Sequence, residues 1–229
     1  MAVILFVISL GGIFVSSIQS STPTPDNNST ATQTPNVTSS PAIEALGKLA
    51  VKGRAPKTGY DREQFGGEWS RQGTCNMRDK ILARDMANVV YRSGTDCDVI
   101  RGTLNDPYTG KTIQFVRGQG TSDDVQIDHV VALSNAWQTG AQQLTQEQRE
   151  QLYNDPLELL AVDGPANNQK GDGDAATWLP PNKSYRCRYV ARQIAVKLKY
   201  TLWVTPAEHD AIQRVLGACP DQKLPNISW

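Results

Sequence analysis

Histidine is scarce in this sequence. The 229 residues hold two, His129 and His209. There is no H-E-x-x-H and no G-x-S-x-G, so neither a zincin nor a serine esterase is supported. The four cysteines, Cys75, Cys97, Cys187 and Cys219, form no C-x-x-C. That argues against zinc and against thioredoxin-like redox work. Net charge is missing too: 23 Lys+Arg balance 23 Asp+Glu. Global charge therefore says nothing about nucleic acid, and local charge has to be read instead. Gly110-Lys111-Thr112 ends like a phosphate-binding loop, but Asn105 stands where its first glycine is required.

The N-terminus is a different kind of sequence. Met1–Ile18 is almost wholly apolar and carries no Lys or Arg. Its length suits a signal-peptide core or a short membrane span. It predicts export, by cleavage or with residues 1–18 as a membrane anchor. No Cys follows it, which argues against a lipoprotein. Residues 19–41 are rich in Ser, Thr, Pro and Asn and lack Lys, Arg, Leu and aromatics. Such a segment cannot bury a core and reads as a disordered spacer. The folded part is then 42–229. All four cysteines lie in it, and an even count in an exported chain predicts two disulfides. Of three possible pairings, Cys75–Cys97 with Cys187–Cys219 is favoured because each closes a short loop.

Within the folded part, residues 42–52 read as a short helix and 53–69 as a loop anchored by Tyr60, Phe65 and Trp69. Asn76 can cap a helix through about Val89. Its Arg78, Asp79, Arg84 and Asp85 read either as a solvated face or as a buttress for an active site. Residues 98–104 and 111–117 flank Asn105-Asp106-Pro107-Tyr108-Thr109-Gly110 and predict a β-hairpin. Thr145 with Gln148, and Thr205 with Glu208, are capping boxes, the second with proline in its first turn. Residues 157–162 read as a short apolar strand. Asp163-Gly164-Pro165 turns the chain into a polar helical element. Residues 183–200 carry Lys183, Arg186, Arg188, Arg192, Lys197 and Lys199 and no acid. Arg188, Arg192 and Lys199 share one helical face, which suits either phosphate contacts or plain solvation. His209, beside Glu208 and Asp210, reads as a surface residue.

The centre of the chain is Val125-Gln126-Ile127-Asp128-His129-Val130-Val131-Ala132-Leu133. An Asp-His pair sits inside a β-branched run that reads as a buried strand. Burying ionisable groups is costly unless they are used or satisfied. A neutral imidazole there could serve as a general base, and the neighbouring carboxylate leaves a strand on the other side. An isolated Asp-His is more often a satisfied core pair, so the residues that follow matter.

Those residues are Asp155–Asp172, with Asn167-Asn168-Gln169-Lys170-Gly171-Asp172 at their end. Together with 75–85, 102–111, 125–137 and 176–182 they resemble the HNH nuclease family and its ββα-metal fold. The closer resemblance is to secreted bacterial HNH endonuclease-like proteins, related to the nuclease part of modification-dependent restriction enzymes. It covers about Val51 to Cys219. It implies an α+β domain with a ββα-metal core set among extra helices and a β-hairpin.

Position by position, the resemblance makes His129 the general base, Asp128 the first metal ligand and Asn167 the last. Glu158 falls at the middle position, where the family has an asparagine that braces the histidine loop. Many relatives bind a structural zinc through two C-x-x-C pairs. Here the corresponding turn is Asp163-Gly164-Pro165-Ala166, so no structural zinc is expected. The implied activity is phosphodiester hydrolysis by a water that His129 deprotonates, helped by one divalent ion, Mg²⁺ or Mn²⁺, on Asp128 and Asn167. Lys170 or Arg192, and Arg188 further along the basic segment, are candidate phosphate contacts. Asp172 is a loop carboxylate that could reach the metal. The implied partner is nucleic acid, chiefly DNA, with little sequence specificity. The alternatives are an inactive HNH-like module binding nucleic acid or the cell surface, and a different metal-dependent surface hydrolase.

Overall fold

The structure, a computed structural model, describes residues 41–227. The apolar terminus 1–18 and the spacer, apart from Pro41, lie outside the described residues.

The chain opens with helix α1 (Pro41–Leu46), shorter than expected. It then runs extended, and Val51 forms a parallel bridge to Val204. A 3-10 turn at Arg62–Phe65 interrupts the predicted loop. Strands β1 (Arg71–Gln72) and β2 (Cys75–Asn76) make a small hairpin before α2 (Met77–Asp85). Asn76 caps α2 as expected, its side chain accepting from the Asp79 N–H at 2.9 Å.

The helix ends earlier than its apolar spacing suggested. Residues 86–91 form strand β3 (Met86–Tyr91). Over so short a run, Met86 and Val89 satisfy helical spacing equally well, and periodicity cannot decide. Pairing with β4 (Val99–Asn105) decides, aided by the β-branched and aromatic Val89, Val90 and Tyr91. A bulge falls between Ala87 and Val90, where Asn88 takes a left-handed φ of 53°. Strand β5 (Thr112–Val116) completes a three-stranded antiparallel sheet, with the expected turn between β4 and β5.

Next comes β6 (Val125–His129), then α3 (Leu133–Gln138), α4 (Gln146–Tyr153), β7 (Leu159–Asp163) and α5 (Gly164–Lys170). The long helices α6 (Arg186–Lys199) and α7 (Pro206–Leu216) close the domain. Both capping boxes are formed, at Thr145 and at Thr205. Both disulfides pair as favoured, Cys75–Cys97 and Cys187–Cys219. The architecture is α+β, with three small sheets among helices. No described helix is long and apolar enough to cross a membrane.

β6 and β7 pair antiparallel, with His129 opposite Leu159 and Asp128 opposite Leu160. This two-stranded sheet is covered on both sides, which explains the unbroken apolar run of β7. Leu159 and Ala161 join Val125, Ile127 and α2 residues Ile81 and Leu82 in one core cluster. Leu160 and Val162 join a second one with α1, α6 and α7.

The outer edges of the pair are satisfied by side chains instead of further strands. Arg84 donates to the Leu159 carbonyl at 2.7 Å, and Asp85 accepts from the Ala161 N–H at 2.8 Å. Arg78 donates to the Val125 carbonyl at 3.1 Å. Arg78, Arg84 and Asp85 of α2 are therefore the buttress of the β6–β7 pair, while Asp79 accepts from the Val99 N–H at 3.1 Å and pairs with Arg117.

Candidate active site

α5 is placed by its first residues. Asp163 caps it, accepting from the Ala166 N–H at 2.8 Å. Gly164 follows because the Asp123 carbonyl passes so close that a Cβ would lie 2.0 Å from it. Asp106, from the β4–β5 turn, accepts from the Asp163 N–H at 2.9 Å and ties that turn to the start of α5. Asn167 is then inside the helix, not at its cap.

The packing of α5 on β6 brings the candidate residues together. Asp128, His129 and Asn167 all border one open cleft of about 390 Å³, with Lys57, Tyr60, Arg62, Ser134 and Asp172 around it. Asp128 and His129 are 4% and 5% exposed, so the cleft touches them only at their tips.

The partners of Asp128 and His129 differ, as expected for successive strand residues. Asp128 faces α5 and the β4–β5 turn. Its Oδ1 accepts from Lys170 Nζ at 2.8 Å, and its Oδ2 accepts from the Tyr108 hydroxyl. Lys170 Nζ also donates to the His129 carbonyl at 2.8 Å. His129 faces aromatic rings: Tyr153, with centroids 4.6 Å apart, and Trp69, parallel to it at 5.8 Å.

The His129 Nε2 lies 2.9 Å from the Tyr153 carbonyl. A carbonyl only accepts, so Nε2 carries the proton and Nδ1 is the basic nitrogen. Burial, with the Arg62 and Lys170 charges adding to it, holds the His129 pKa down at about 3. The ring is neutral at pH 7.

Asn167 Nδ2 donates to Gln126 Oε1 at 2.8 Å, which leaves Oδ1 as its donor atom toward a cation. The oxygens of Asp128 each accept one hydrogen bond and keep lone pairs. Among the described residues, Cys75, Asp96 and Cys97 are the group of three His, Cys, Asp or Glu whose ligand atoms all lie within 4.8 Å of one another, and their two sulfurs are in a disulfide. The cleft therefore offers two hard oxygen donors and room for water. That set fits Mg²⁺, which keeps much of its hydration, and not a zinc cage.

Three expected contacts fall elsewhere. Arg192 is buried, and its guanidinium donates to the carbonyls of Pro156, Leu157 and Leu159 at 2.9, 2.6 and 2.7 Å. It stabilises the turn into β7 and is not a phosphate ligand. Arg188 is exposed but lies outside the cleft, over the Tyr185 ring at 5.1 Å. Lys170 is spent on Asp128. The basic segment is thus no continuous surface: Lys197 is fully buried against Glu208 at 2.9 Å, and Lys199 pairs with Asp155 at 2.6 Å.

Glu158 is fully buried and accepts from the Val131 N–H at 3.1 Å. Burial raises its pKa well above the usual carboxylate range. It braces the loop after His129. Asp172 does border the cleft, bonded to Ser134 at 3.2 Å and Lys57 at 3.5 Å. His209 lies half-buried on α7, away from the cleft.

Tyr108, Trp69, Tyr153, Lys57 and Arg62 were not visible as site residues in the sequence. Tyr60, Phe65 and Trp69 were legible as anchors, and that loop does border the site. Nothing local pointed to Tyr108.

Residues 76–215 match the family model described as GmrSD restriction endonucleases, C-terminal domain. A relative described as an uncharacterized secreted protein of Arthroderma benhamiae is 37% identical over 216 residues, 93% of this chain and 98% of that protein. That relative is fungal, where the sequence resemblance pointed to bacterial proteins. No solved structure matches the chain.

Proposed function

We propose that this chain, which belongs to the family of GmrSD restriction endonuclease C-terminal domains, is an extracellular, metal-dependent endonuclease of HNH type. The observation that carries the reading is the meeting of Asp128, His129 and Asn167, from β6 and α5, on one open cleft. The order strand, strand, helix in β6, β7 and α5 supports a ββα-metal core. Two disulfides and the secreted relative support an extracellular location. The substrate class is nucleic acid, with DNA of any sequence as the first choice.

His129 removes the proton from the attacking water through Nδ1. Trp69 and Tyr153 keep its ring in place and dry. A pKa of about 3 makes a weak base in the free protein. Burial is the main cause of that depression, and a phosphodiester in the cleft would offset the smaller part that the Arg62 and Lys170 charges add. Lys170 and Tyr108 hold Asp128 in a single orientation. Asp128 and Asn167 would hold one divalent cation, Mg²⁺ or Mn²⁺, which when bound supplies charge stabilisation at phosphorus and at the leaving 3′ oxygen. No structural zinc is proposed.

A nuclease-like module that only binds nucleic acid or the cell surface is the second reading. One observation favours it: both Asp128 oxygens are already engaged, one of them by an ammonium group. A nicking assay separates the two. The full chain is incubated with supercoiled plasmid and Mg²⁺ or Mn²⁺, beside EDTA and His129→Ala controls. Metal-dependent nicking lost in the variant is expected. A folded protein inert toward plasmid, single-stranded DNA and RNA would leave the binding module.

A further inference from the structure

The cations around the cleft are mostly committed. Lys170 is bound to Asp128, and Lys57 is 3.5 Å from Asp172. Arg84 and Arg192 lie outside the cleft and serve backbone carbonyls. Arg62 is different. It borders the cleft and makes no ion pair with a carboxylate among the described residues.

Arg62 is nevertheless held in place. It opens the 3-10 turn Arg62–Phe65, capped by Asp61, whose carboxylate accepts from the Glu63 N–H at 2.9 Å. Phe65 in that turn is fully buried, with Tyr60 and Trp137 edge-on to its ring. The guanidinium lies over the Tyr153 ring, 5.2 Å from its centroid, and donates from Nη2 to the Tyr153 hydroxyl at 3.1 Å. That hydroxyl spends its own proton on the Gly67 carbonyl at 3.1 Å.

Tyr153 therefore holds two groups at once. Its hydroxyl and ring fix Arg62, and its carbonyl fixes His129. A base and an unpaired cation that both border the cleft are thus tied to one residue. A guanidinium bonded once keeps four N–H donors in a plane, a shape that matches two oxygens of a phosphate.

We propose that Arg62 is a catalytic residue whose guanidinium binds the non-bridging oxygens of the scissile phosphodiester, and that Tyr153 is the positioning residue that sets it against His129. This rests on the nuclease reading above. The water oxygen forms a bond to phosphorus as the bond from phosphorus to the 3′ oxygen breaks. The water proton passes to His129, and the 3′ oxygen leaves and takes a proton from solvent. The products are a 5′ phosphate and a 3′ hydroxyl, and His129 then releases its proton. Arg62 stabilises the charge that collects on the equatorial oxygens between those events.

The test uses the full chain with Arg62→Ala, Arg62→Lys, Tyr153→Phe and His129→Ala. Plasmid nicking with Mg²⁺ gives kcat and KM, thermal unfolding checks the fold, and binding to a short DNA duplex in EDTA is followed against salt. Arg62→Ala is expected to lower kcat by about 100-fold or more with little change in KM. Arg62→Lys should restore part of that. Tyr153→Phe, which keeps the carbonyl and the ring, should lower kcat about tenfold through the loosened guanidinium alone. The salt slope of binding should fall by about one unit in Arg62→Ala.

If Arg62→Ala nicks like wild type while His129→Ala is dead, the nuclease reading stands and the Arg62 assignment falls. If Arg62→Ala and Arg62→Lys lose activity only in step with a lost fold, the residue is structural and the assignment also falls. A wild-type chain that nicks nothing removes both.

Discussion

His129 shows what a buried imidazole costs. Enclosed by Tyr153 and Trp69, it is held neutral, with its pKa at about 3 against the ordinary 6.5. The unfolded chain takes up a proton below pH 6.5 that the folded chain refuses until about pH 3. A depressed pKa therefore stabilises the fold above pH 6.5, and that stability is lost as pH falls through the window. The loss is about 1.4 kcal/mol per pH unit. Urea unfolding at pH 7 and pH 4.5 checks it. Wild type should lose about 2–3 kcal/mol more than His129→Gln over that step. Equal losses would mean that the ring titrates near its ordinary value. The other informative residues at this scale are cations. From charge alone, Arg192 and Lys170 read as phosphate ligands. In the fold they are interior groups, because a carbonyl-rich turn and a buried carboxylate needed donors.

At the scale of elements, the strand β6 and the helix α5 make the site, and their contact depends on Gly164. The Asp123 carbonyl lies where any Cβ would go, at 2.0 Å. Gly164→Ala must therefore move the start of α5 or the residues before β6. The expected cost is about 1–3 kcal/mol, the usual range for overpacking. Nicking should fall further than stability does, since Asn167 and Lys170 both ride on α5. Parallel measurement of urea midpoints and nicking rates tests this. An Ala variant as stable and as active as wild type would show that α5 is not fixed at this point. Much at this scale was legible beforehand. The caps at Asn76, Thr145 and Thr205 marked helix starts because a cap is a contact three residues long. The end of α2 is not legible in the apolar spacing, because strand pairing with β4, a partner eight to eighteen residues away, outweighs a local pattern.

For the whole molecule, the two disulfides are the covalent cross-links among the described residues. Cys75–Cys97 spans 22 residues and joins the front of α2 to the approach of β4. Cys187–Cys219 spans 32 residues and joins the start of α6 to the segment after α7. By loop-closure entropy each is worth about 3–4 kcal/mol. Replacing Cys187 and Cys219 together by Ala should lower unfolding stability by about that amount, read by urea denaturation without reductant. A loss under about 1 kcal/mol would show that the packing of α6 on α7 suffices without the bridge. The effect on nicking should be slight, because neither cysteine borders the cleft.

The sequence by itself determined the two disulfides, most helix starts, the β4–β5 hairpin and the order of strand, turn and helix around Asp128, His129 and Asn167. Each is written in a run of a few residues, so short-range chemistry suffices to read it. Only the tertiary structure decided which charges face the cleft. Arg62 reaches it from a loop some seventy residues before His129, and Tyr108 reaches Asp128 from the turn of another sheet. Arg192, on a face that looked suited to phosphate, is turned inward. The direction of a long side chain is set by which buried acceptors remain unpaired once the elements have packed, and those acceptors lie far away in the chain.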